Sequence, residues 1–243
     1  MINPIRFHLD EITSTNDYAK ELISGNELII VTANSQINGR GRNSRSWYGD
    51  YGKNIYLTFG INHKFINSYQ TPSLYQALGC LSVIKTLRRL APDTKFKIKY
   101  PNDIYVFNGD SFKKISGVLV EQFYTGANAE ISLIGIGINN EQKEFPEEII
   151  EKASSLLLND LKIDNDKLSD ELVNTLITEF DRNEEDLRDE WYIEMNLIGK
   201  SCEVIGKGNK IITGFLPDGR LEVQGNDDKI LVDNGDSIIY DLD

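Results

Sequence analysis

The stretch from Gln36 to Trp47 holds the residues whose types and spacing are best suited to chemistry. Its three arginines are interleaved with two glycines: Arg40, Arg42, Arg45, Gly39 and Gly41. A guanidinium group binds a carboxylate or a phosphate through two parallel hydrogen bonds, and glycine lets a backbone approach a ligand closely. The pattern predicts a loop that binds anions. Taken alone, it leaves open a solvated surface loop or an RNA-binding loop of the Arg-Gly type.

Two predicted strands bracket this loop. Upstream, Leu28–Ala33 is an apolar run with β-branched members. Downstream, the segment 54–60 alternates, so that Ile55, Leu57 and Phe59 share one face. We therefore expect the three arginines to lie in a loop that connects two strands of a sheet.

Further strands and helices are predicted along the first 195 residues. Ser14 or Thr15 is expected to cap a helix that ends at Gly25, and Leu74–Leu90 has the apolar spacing of a helix that faces the core. The remaining strands are predicted at 96–100, 104–107, 114–123 and 131–139, and helices at 145–159 and from 166 to about 195. Glycines at 117, 135 and 137 indicate a close approach of a ligand or of another backbone.

The pattern changes after Gly199, where short strands are predicted at 201–205, 210–216, 220–224, 229–232 and 236–241. Regular short strands separated by turns favour a small β-barrel or sandwich. We place a domain boundary near Asn196, which gives one domain over 1–195 and a second over 196–243.

The charge is distributed unevenly over the 243 residues. The chain has a net charge of -12, but residues 1–140 hold 15 basic and 11 acidic residues, a net of +4. Local cations focus anions, whereas the acidic remainder disfavours broad nucleic-acid binding. The chain has two cysteines, no secretory signal pattern and no apolar run of membrane-spanning length. These features predict a protein of the reducing cytoplasm that does not enter a membrane.

Five polar motifs lie at strand ends and in loops. They are S-T-N at 14–16, Q-x-x-G-R-G-R-x-x-R-x-W at 36–47, K-Y-P-N-D at 99–103, K-I-S-G at 114–117 and G-I-G-I-N at 135–139. Each one alone has a structural explanation: Lys99 as a solvated lysine, Asn102 and Asp103 as a turn, Asn139 as a cap. Together, in this order, they are specific.

In this order the motifs resemble those of the biotin protein ligases, also called biotin–[acetyl-CoA-carboxylase] ligases. The most specific family pattern stands here as Gly39–Trp47, Lys99–Asp103 and Lys114–Glu121. The resemblance covers nearly the whole chain. It implies an α+β fold, in which a mixed β-sheet flanked by helices, like the core of class II synthetases, precedes a small SH3-like β-barrel. Two positions depart from the pattern: Ser44 replaces a frequent glycine, and Tyr100 a tryptophan.

The resemblance also implies a reaction in two steps. Biotin is activated with ATP to biotinyl-5'-AMP, and the biotinyl group is then transferred to a lysine of a biotin carboxyl carrier protein. ATP and Mg²⁺ would be co-substrate and activator, biotin the substrate, and no prosthetic group would be needed. The expected protein is a monomer or a homodimer. Because S-T-N begins at residue 14, we expect no helix-turn-helix, no DNA binding and no repressor activity.

The motif positions imply roles for fourteen residues. Arg40 and Lys114 would be catalytic. Biotin would be bound by Ser14, Thr15, Asn16, Gln36, Gly39, Arg40, Arg42, Lys114 and Gly117. ATP would be bound by Arg42, Arg45, Trp47, Asn102, Asp103, Lys114 and Asn139. Asp103 would hold Mg²⁺.

Two other functions compete with this hypothesis. A related acyl ligase for lipoate or octanoate would need a long apolar pocket, without the polar groups at 14–16 and Gln36. An RNA-binding module would use the Arg-Gly loop but would leave the downstream motifs unexplained.

Overall fold

A seven-stranded mixed sheet forms the larger part of the computed structural model, which describes residues 3–225 and 228–242. Its strands are β1 (Ile5–Ile12), β2 (Leu28–Gln36), β3 (Asn54–Asn62), β4 (Phe96–Lys99), β5 (Asp103–Phe107), β6 (Phe112–Thr125) and β7 (Asn128–Asn139). They are ordered β1-β2-β3-β7-β6-β5-β4 across the sheet. The β1–β2 pair is parallel, and the other pairs are antiparallel.

Helices cover both faces of this sheet. They are α1 (Thr15–Leu22), α2 (Pro72–Leu90), α3 (Asn165–Phe180) and α4 (Glu184–Met195). Successive side chains of a strand point to opposite faces, and β2 shows the result. Leu28 and Ile30 pack in the large core with α2, whereas Ile29 and Val31 pack on the α1 side with Ala19.

The same alternation decides which residues of β6 and β7 face the α1 side. Val118 and Ile136 belong to the large core, so the neighbouring Gly117 and Gly137 point the other way. These two glycines are directly paired across the sheet. The α1 side of the sheet therefore has a stretch without bulky side chains.

The N-terminus of α1 is capped differently from the prediction. Ser14 occupies the N-cap position with extended backbone, but its side chain makes no capping hydrogen bond. The Oε1 atom of Gln36 instead accepts a hydrogen bond from the backbone N–H of Thr15 at 2.7 Å. A residue of β2 thus satisfies a donor that helix N-termini leave open, which sequence-local capping rules do not foresee.

The prediction of a helix at 145–159 was wrong. The segment consists of turns and a short 3₁₀ helix at Leu157–Asn159. Within the turns, Ile150 N–H donates to the carbonyl of Pro146 and Ala153 N–H to that of Ile149, but no regular helix continues from them. The end of the segment pairs with β6: Lys114 N–H donates to the carbonyl of Lys152, and Ser154 N–H donates to that of Lys114, both at 2.8 Å. The helix predicted from 166 to about 195 is two helices. Asn183 caps the second one by accepting from the N–H of Asp186.

A second, antiparallel sheet follows α4. Its strands are β8 (Ser201–Val204), β9 (Gly208–Phe215), β10 (Leu221–Gln224), β11 (Lys229–Val232) and β12 (Ile238–Ile239), ordered β11-β10-β9-β8-β12. The predicted succession of short strands is confirmed, and so is the α+β class with a mixed, helix-flanked sheet. Val204, Ile212 and Leu221 join the same hydrophobic core as the first sheet. The division of the chain into two independent domains near Asn196 therefore remains a prediction.

Candidate active site

A cavity of about 760 Å³ lies on the α1 side of the large sheet. Thirteen of the fourteen predicted site residues line it: Ser14, Thr15, Asn16, Gln36, Arg40, Arg42, Arg45, Trp47, Asn102, Asp103, Lys114, Gly117 and Asn139. The fourteenth, Gly39, is not part of the lining; it lies in the loop against Trp47, where a Cβ atom would be 2.8 Å from the carbonyl oxygen of Trp47. The fold therefore gathers residues of all five motifs around one space.

The indole ring of Trp47 lies on the paired glycines of β6 and β7. A Cβ atom at Gly137 would be 2.5 Å from Cε2 of Trp47, and one at Gly117 would be 2.9 Å from Cζ3. Any larger side chain at either position must displace the ring. The glycines flagged in the sequence thus allow a close approach, and within the protein the approaching group is Trp47.

Polar groups cluster where α1 begins. Gln36 Oε1 accepts from both the N–H and the hydroxyl of Thr15, at 2.7 and 3.1 Å. The hydroxyl of Thr58, on β3, donates to Asn16 Oδ1 at 2.6 Å. Asn16 lies against Gly135, where a Cβ atom would be 2.5 Å from Oδ1. This end of the cavity offers hydroxyl and amide groups that are held by the sheet.

Lys114 and Arg42 lie near the K-Y-P-N-D motif. Lys114 Nζ is 2.7 Å from Asp103 Oδ1 and 5.4 Å from the ring centroid of Trp47. Arg42 donates to Asn102 Oδ1 at 3.2 Å. The turn between β4 and β5 therefore presents the amide of Asn102, and the start of β5 the carboxylate of Asp103, to two of the predicted anion-binding cations.

Arg40 and Arg45 are both paired with carboxylates. Arg40 makes two hydrogen bonds of 2.7 Å with Asp17; this contact raises the pKa of Arg40 and lowers the pKa of Asp17. Arg45 Nη2 is 2.9 Å from Asp236, in the second sheet's part of the chain. Burial raises the pKa of Asp236, but the contacts with Arg45 and Asn43 and the nearby charge of Arg42 together outweigh this, and the pKa lies below its ordinary value.

The cavity is positively charged although the chain is acidic. Six cationic side chains line it (Arg40, Arg42, Arg45, Lys99, Lys114 and Lys152) and three anionic ones (Asp103, Glu148 and Asp236). The lining therefore carries a net charge of +3, against -12 for the whole chain. Such a local excess concentrates anionic ligands.

The loop between β2 and β3 contains two residues in the left-handed region. Arg42–Ser44 form a 3₁₀ turn in which Asn43 has φ 54° and Ser44 has φ 58°. Glycine adopts this conformation at little cost, and a serine does not. The departure at Ser44 therefore falls at a position where glycine is the favoured residue.

Several site residues were missed by reasoning from the sequence. Asp17 follows the S-T-N motif and Glu121 ends the Lys114–Glu121 pattern, so adjacency to a motif could have pointed to both. Thr58 and Lys152 carry no local signal. Asp236 lies far along the chain from the loop that it contacts, and only tertiary structure brings the two together.

Comparison with known proteins places the chain in a class of ligases. The model of the biotin/lipoate A/B protein ligase family matches residues 9–139, more than half of the chain. The chain belongs to this family. The resemblance drawn from the motifs is thereby confirmed at the level of the family.

Individual relatives are named as biotin ligases. The bifunctional ligase/repressor BirA of Bacillus spizizenii is 36% identical over 151 residues, which are 60% of this chain and 44% of that protein. The chain thus matches less than half the length of that relative. The biotin--[acetyl-CoA-carboxylase] ligase of Mycobacterium tuberculosis is 25% identical over 95% of this chain and 88% of that protein.

A solved structure shares the whole fold. The biotin protein ligase of Aquifex aeolicus in complex with biotin and ATP superposes with a TM-score of 0.72 at 25% identity, over 97% of each chain. The arrangement of a mixed, helix-flanked sheet followed by a small antiparallel sheet is therefore that of a biotin ligase.

Proposed function

We propose that the protein is a biotin–[biotin carboxyl carrier protein] ligase. It would activate biotin with ATP to biotinyl-5'-AMP and then biotinylate a lysine of the carrier domain of a biotin-dependent carboxylase. The observation that carries the proposal is one cavity that joins the polar groups of Thr15 and Gln36 to a cationic region around Arg42 and Lys114. The biotin ligase relatives and the biotin and ATP complex of the similar fold support it.

In the first step an oxygen of the biotin carboxylate attacks the α-phosphorus of ATP. A bond from that oxygen to phosphorus forms, the bond to the bridging oxygen breaks, and pyrophosphate leaves. Both reactants are anions, so their repulsion has to be offset. Arg40, Arg42 and Lys114 would provide the positive charge. No covalent enzyme nucleophile is needed, because positioning and electrostatics suffice.

The two ligands would occupy different ends of the cavity. The ureido group of biotin needs paired donors and acceptors, which Ser14, Thr15, Gln36 and the backbone near Gly117 can provide. The adenylate would lie toward Trp47, with the other predicted ATP-binding residues around the phosphates and the nucleoside: Arg42, Arg45, Asn102, Asp103, Lys114 and Asn139.

The predicted role of Asp103 in holding Mg²⁺ fits the donor set. Mg²⁺ is commonly bound by one or two carboxylates together with substrate phosphates, and Asp103 is an acidic residue of the cavity next to Lys114. No cluster of three or more potential metal-ligating side chains occurs in residues 3–225 and 228–242. The nucleotide would therefore have to supply the other oxygens, while Mg²⁺ would add charge neutralisation.

In the second step the amine of the acceptor lysine attacks the carbonyl carbon of the mixed anhydride. An amide forms, AMP leaves, and the amine loses a proton. The positive cavity suits an acidic carrier domain. We propose no operator binding, since the net charge of -12 opposes contact with DNA. We also propose a cytoplasmic monomer or homodimer, with Cys80 and Cys202 unpaired. No helix in the described part of the chain is long and apolar enough to cross a membrane.

Purified protein, biotin, MgATP and a carrier domain test the proposal directly. We expect label transfer to the carrier and ATP–pyrophosphate exchange that depends on biotin. Exchange that depends on lipoate or octanoate instead would establish the competing acyl ligase, and the absence of every exchange would refute ligase activity. A specific operator complex in a gel shift at moderate salt would contradict the absence of repressor function.

A further inference from the structure

The guanidinium of Arg40 is held from two sides by carboxylates. Asp17 accepts from Nη1 and Nη2 at 2.7 Å each, and Glu121 Oε2 lies 3.5 Å from Nη2. The three side chains are only 31 to 45% exposed. A bidentate pair fixes the plane of a guanidinium as well as its position, so the orientation of Arg40 is defined before any ligand binds.

Glu121 is itself anchored to the sheet. Its Oε2 accepts from Nδ2 of Asn16 at 2.6 Å, and Asn16 Oδ1 accepts from the hydroxyl of Thr58 at 2.6 Å. Thr58 is fully buried on β3. Both ends of the Asn16 amide are therefore engaged within the protein. A chain of contacts runs from the core of the sheet to Arg40.

The backbone on both sides of Arg40 is paired across the loop: Trp47 N–H donates to the carbonyl of Gly39 at 2.8 Å, and Gly41 N–H donates to that of Arg45 at 2.7 Å. This pairing fixes the backbone but does not by itself select a rotamer of the long arginine side chain. Asp17 lies in the first turn of α1, whose N-terminus is held by Gln36. The contact with Asp17 thus ties a glycine-flanked residue of the loop to a fixed helix.

We propose that Asp17 and Glu121 are positioning residues that hold Arg40 for the adenylation step. The inference rests on the proposed function. A guanidinium has five N–H donors, and three contacts with Asp17 and Glu121 leave two donors for the reacting anions. Asp17 and Glu121 themselves, being anionic, do not contact the anionic reactants and act through Arg40.

A double-mutant cycle on biotin-dependent ATP–pyrophosphate exchange tests the proposal. Asp17→Asn keeps the shape of the side chain and removes its charge. We expect kcat to fall about tenfold, which corresponds to the usual interaction energy of two residues in contact. The KM for biotin should change less than kcat. In an Arg40→Gln background, Asp17→Asn should have no further effect, because its partner is already absent. Glu121→Gln should behave in the same way with a smaller loss, since its contact is longer.

Two further variants keep the test decisive. Asp17→Glu retains a carboxylate and should keep more activity than Asp17→Asn, a difference that can be measured even where Arg40→Gln lowers exchange below detection. Asp10→Asn is the matched control: Asp10 is an exposed carboxylate bonded to Tyr51 and Asn34, away from the cavity lining. It should show wild-type kcat, and all variants should melt as cooperatively as the wild type.

The outcomes separate this inference from the proposed function. Equal losses from Asp17→Asn in the wild-type and Arg40→Gln backgrounds would overturn it, as would Asp17→Glu being worse than Asp17→Asn. A wild-type protein without any biotin-dependent exchange would overturn the proposed function instead. If the wild type is active but the losses of kcat from the two substitutions are additive, the proposed function is retained and only the positioning role is refuted.

Discussion

At the scale of single residues, the cavity pairs its predicted catalytic cations with internal carboxylates. Lys114 contacts Asp103, and Arg40 contacts Asp17. Cations held in this way need little rearrangement when an anion arrives, and preorganisation of this kind makes electrostatic stabilisation effective. The arrangement also keeps several like charges close together without strong mutual repulsion.

We expect Lys114→Gln to lower the rate of adenylation by about 100-fold or more, the usual cost of removing one preorganised charge-stabilising group. The melting temperature should change little, because the Lys114 side chain is 31% exposed and its ion pair adds little stability. Biotin-dependent pyrophosphate exchange is the measurement. Lys113→Gln, one position earlier on β6 and outside the cavity lining, should leave the rate unchanged; equal rates for both variants would contradict the role of Lys114.

Gly137→Ala should disturb the Trp47 ring. The new methyl group would lie 2.5 Å from Cε2 of Trp47, so the ring has to move, and overpacking of this kind costs about 1–3 kcal/mol. We expect weaker binding of ATP by calorimetry and a changed Trp fluorescence. Gly25→Ala is the control, because a Cβ atom at that position meets no heavy atom within 4 Å. Wild-type ATP affinity in Gly137→Ala would show that the ring position is unimportant.

At the scale of elements, the arginine loop has a conformation that its residues only partly favour. The 3₁₀ turn Arg42–Ser44 puts Asn43 and Ser44 in the left-handed region. Asparagine tolerates that region better than most residues, whereas serine is strained there. In the segment 145–154, only isolated turns of the predicted helix form, and Ala153 forms a bridge with Lys114 of β6.

Ser44→Gly should therefore relieve strain. A non-glycine residue in the left-handed region costs roughly 1–2 kcal/mol, and part of this gain is lost because glycine is more flexible in the unfolded chain. We expect the free energy of unfolding in urea to be unchanged or raised by up to about 1 kcal/mol. Ser46→Gly, at a neighbouring position without positive φ, should be destabilising. A lower free energy of unfolding for Ser44→Gly than for Ser46→Gly would be inconsistent with the observed backbone.

At the scale of the whole molecule, the second sheet closes one side of the cavity. Tyr100, which replaces the family's frequent tryptophan, donates its hydroxyl proton to the carbonyl of Val232 at 3.0 Å. Tyr192 stacks on Phe215 with 4.0 Å between ring centroids. These contacts place Asp236 beside the arginine loop, where it accepts from Asn43 at 2.9 Å and from Arg45 at 3.0 Å.

Asp236→Ala should loosen the arginine loop without unfolding the protein. Asn43 and Arg45 would lose their shared acceptor, and exposed pairs of this kind contribute only about 1 kcal/mol or less to global stability. Limited digestion with trypsin, which cuts after arginine, should cleave the ligand-free variant faster than the wild type in the segment 40–45. Asp218→Ala, in a turn of the same sheet where Asp218 pairs with Arg220, should be cleaved at the wild-type rate. Equal cleavage of both variants would refute the role of Asp236.

Several features of the fold and of the cavity could be predicted from the sequence alone. Alternation along residues 54–60 predicted a strand with Ile55, Leu57 and Phe59 on one face, and the core contains all three. Thirteen of the fourteen residues named from the motifs line the cavity, because motif residues at strand ends converge wherever the strands share a sheet; their binding and catalytic roles stay predictions. Such features depend on local periodicity and on the chemistry of single side chains, and both can be read without knowing distant contacts.

Only the tertiary structure decided the remaining features. Strand register pairs Gly117 with Gly137 beneath Trp47. Residues 152–154 pair with Lys114 of β6, and the segment predicted as a helix forms turns that line the cavity. Asp17, Glu121 and Asp236 acquire their roles through contacts with arginines that lie 23, 81 and 191 residues away along the chain. Local patterns do not encode such contacts, because they arise from the pairing order of the strands and from the packing of the second sheet against the first.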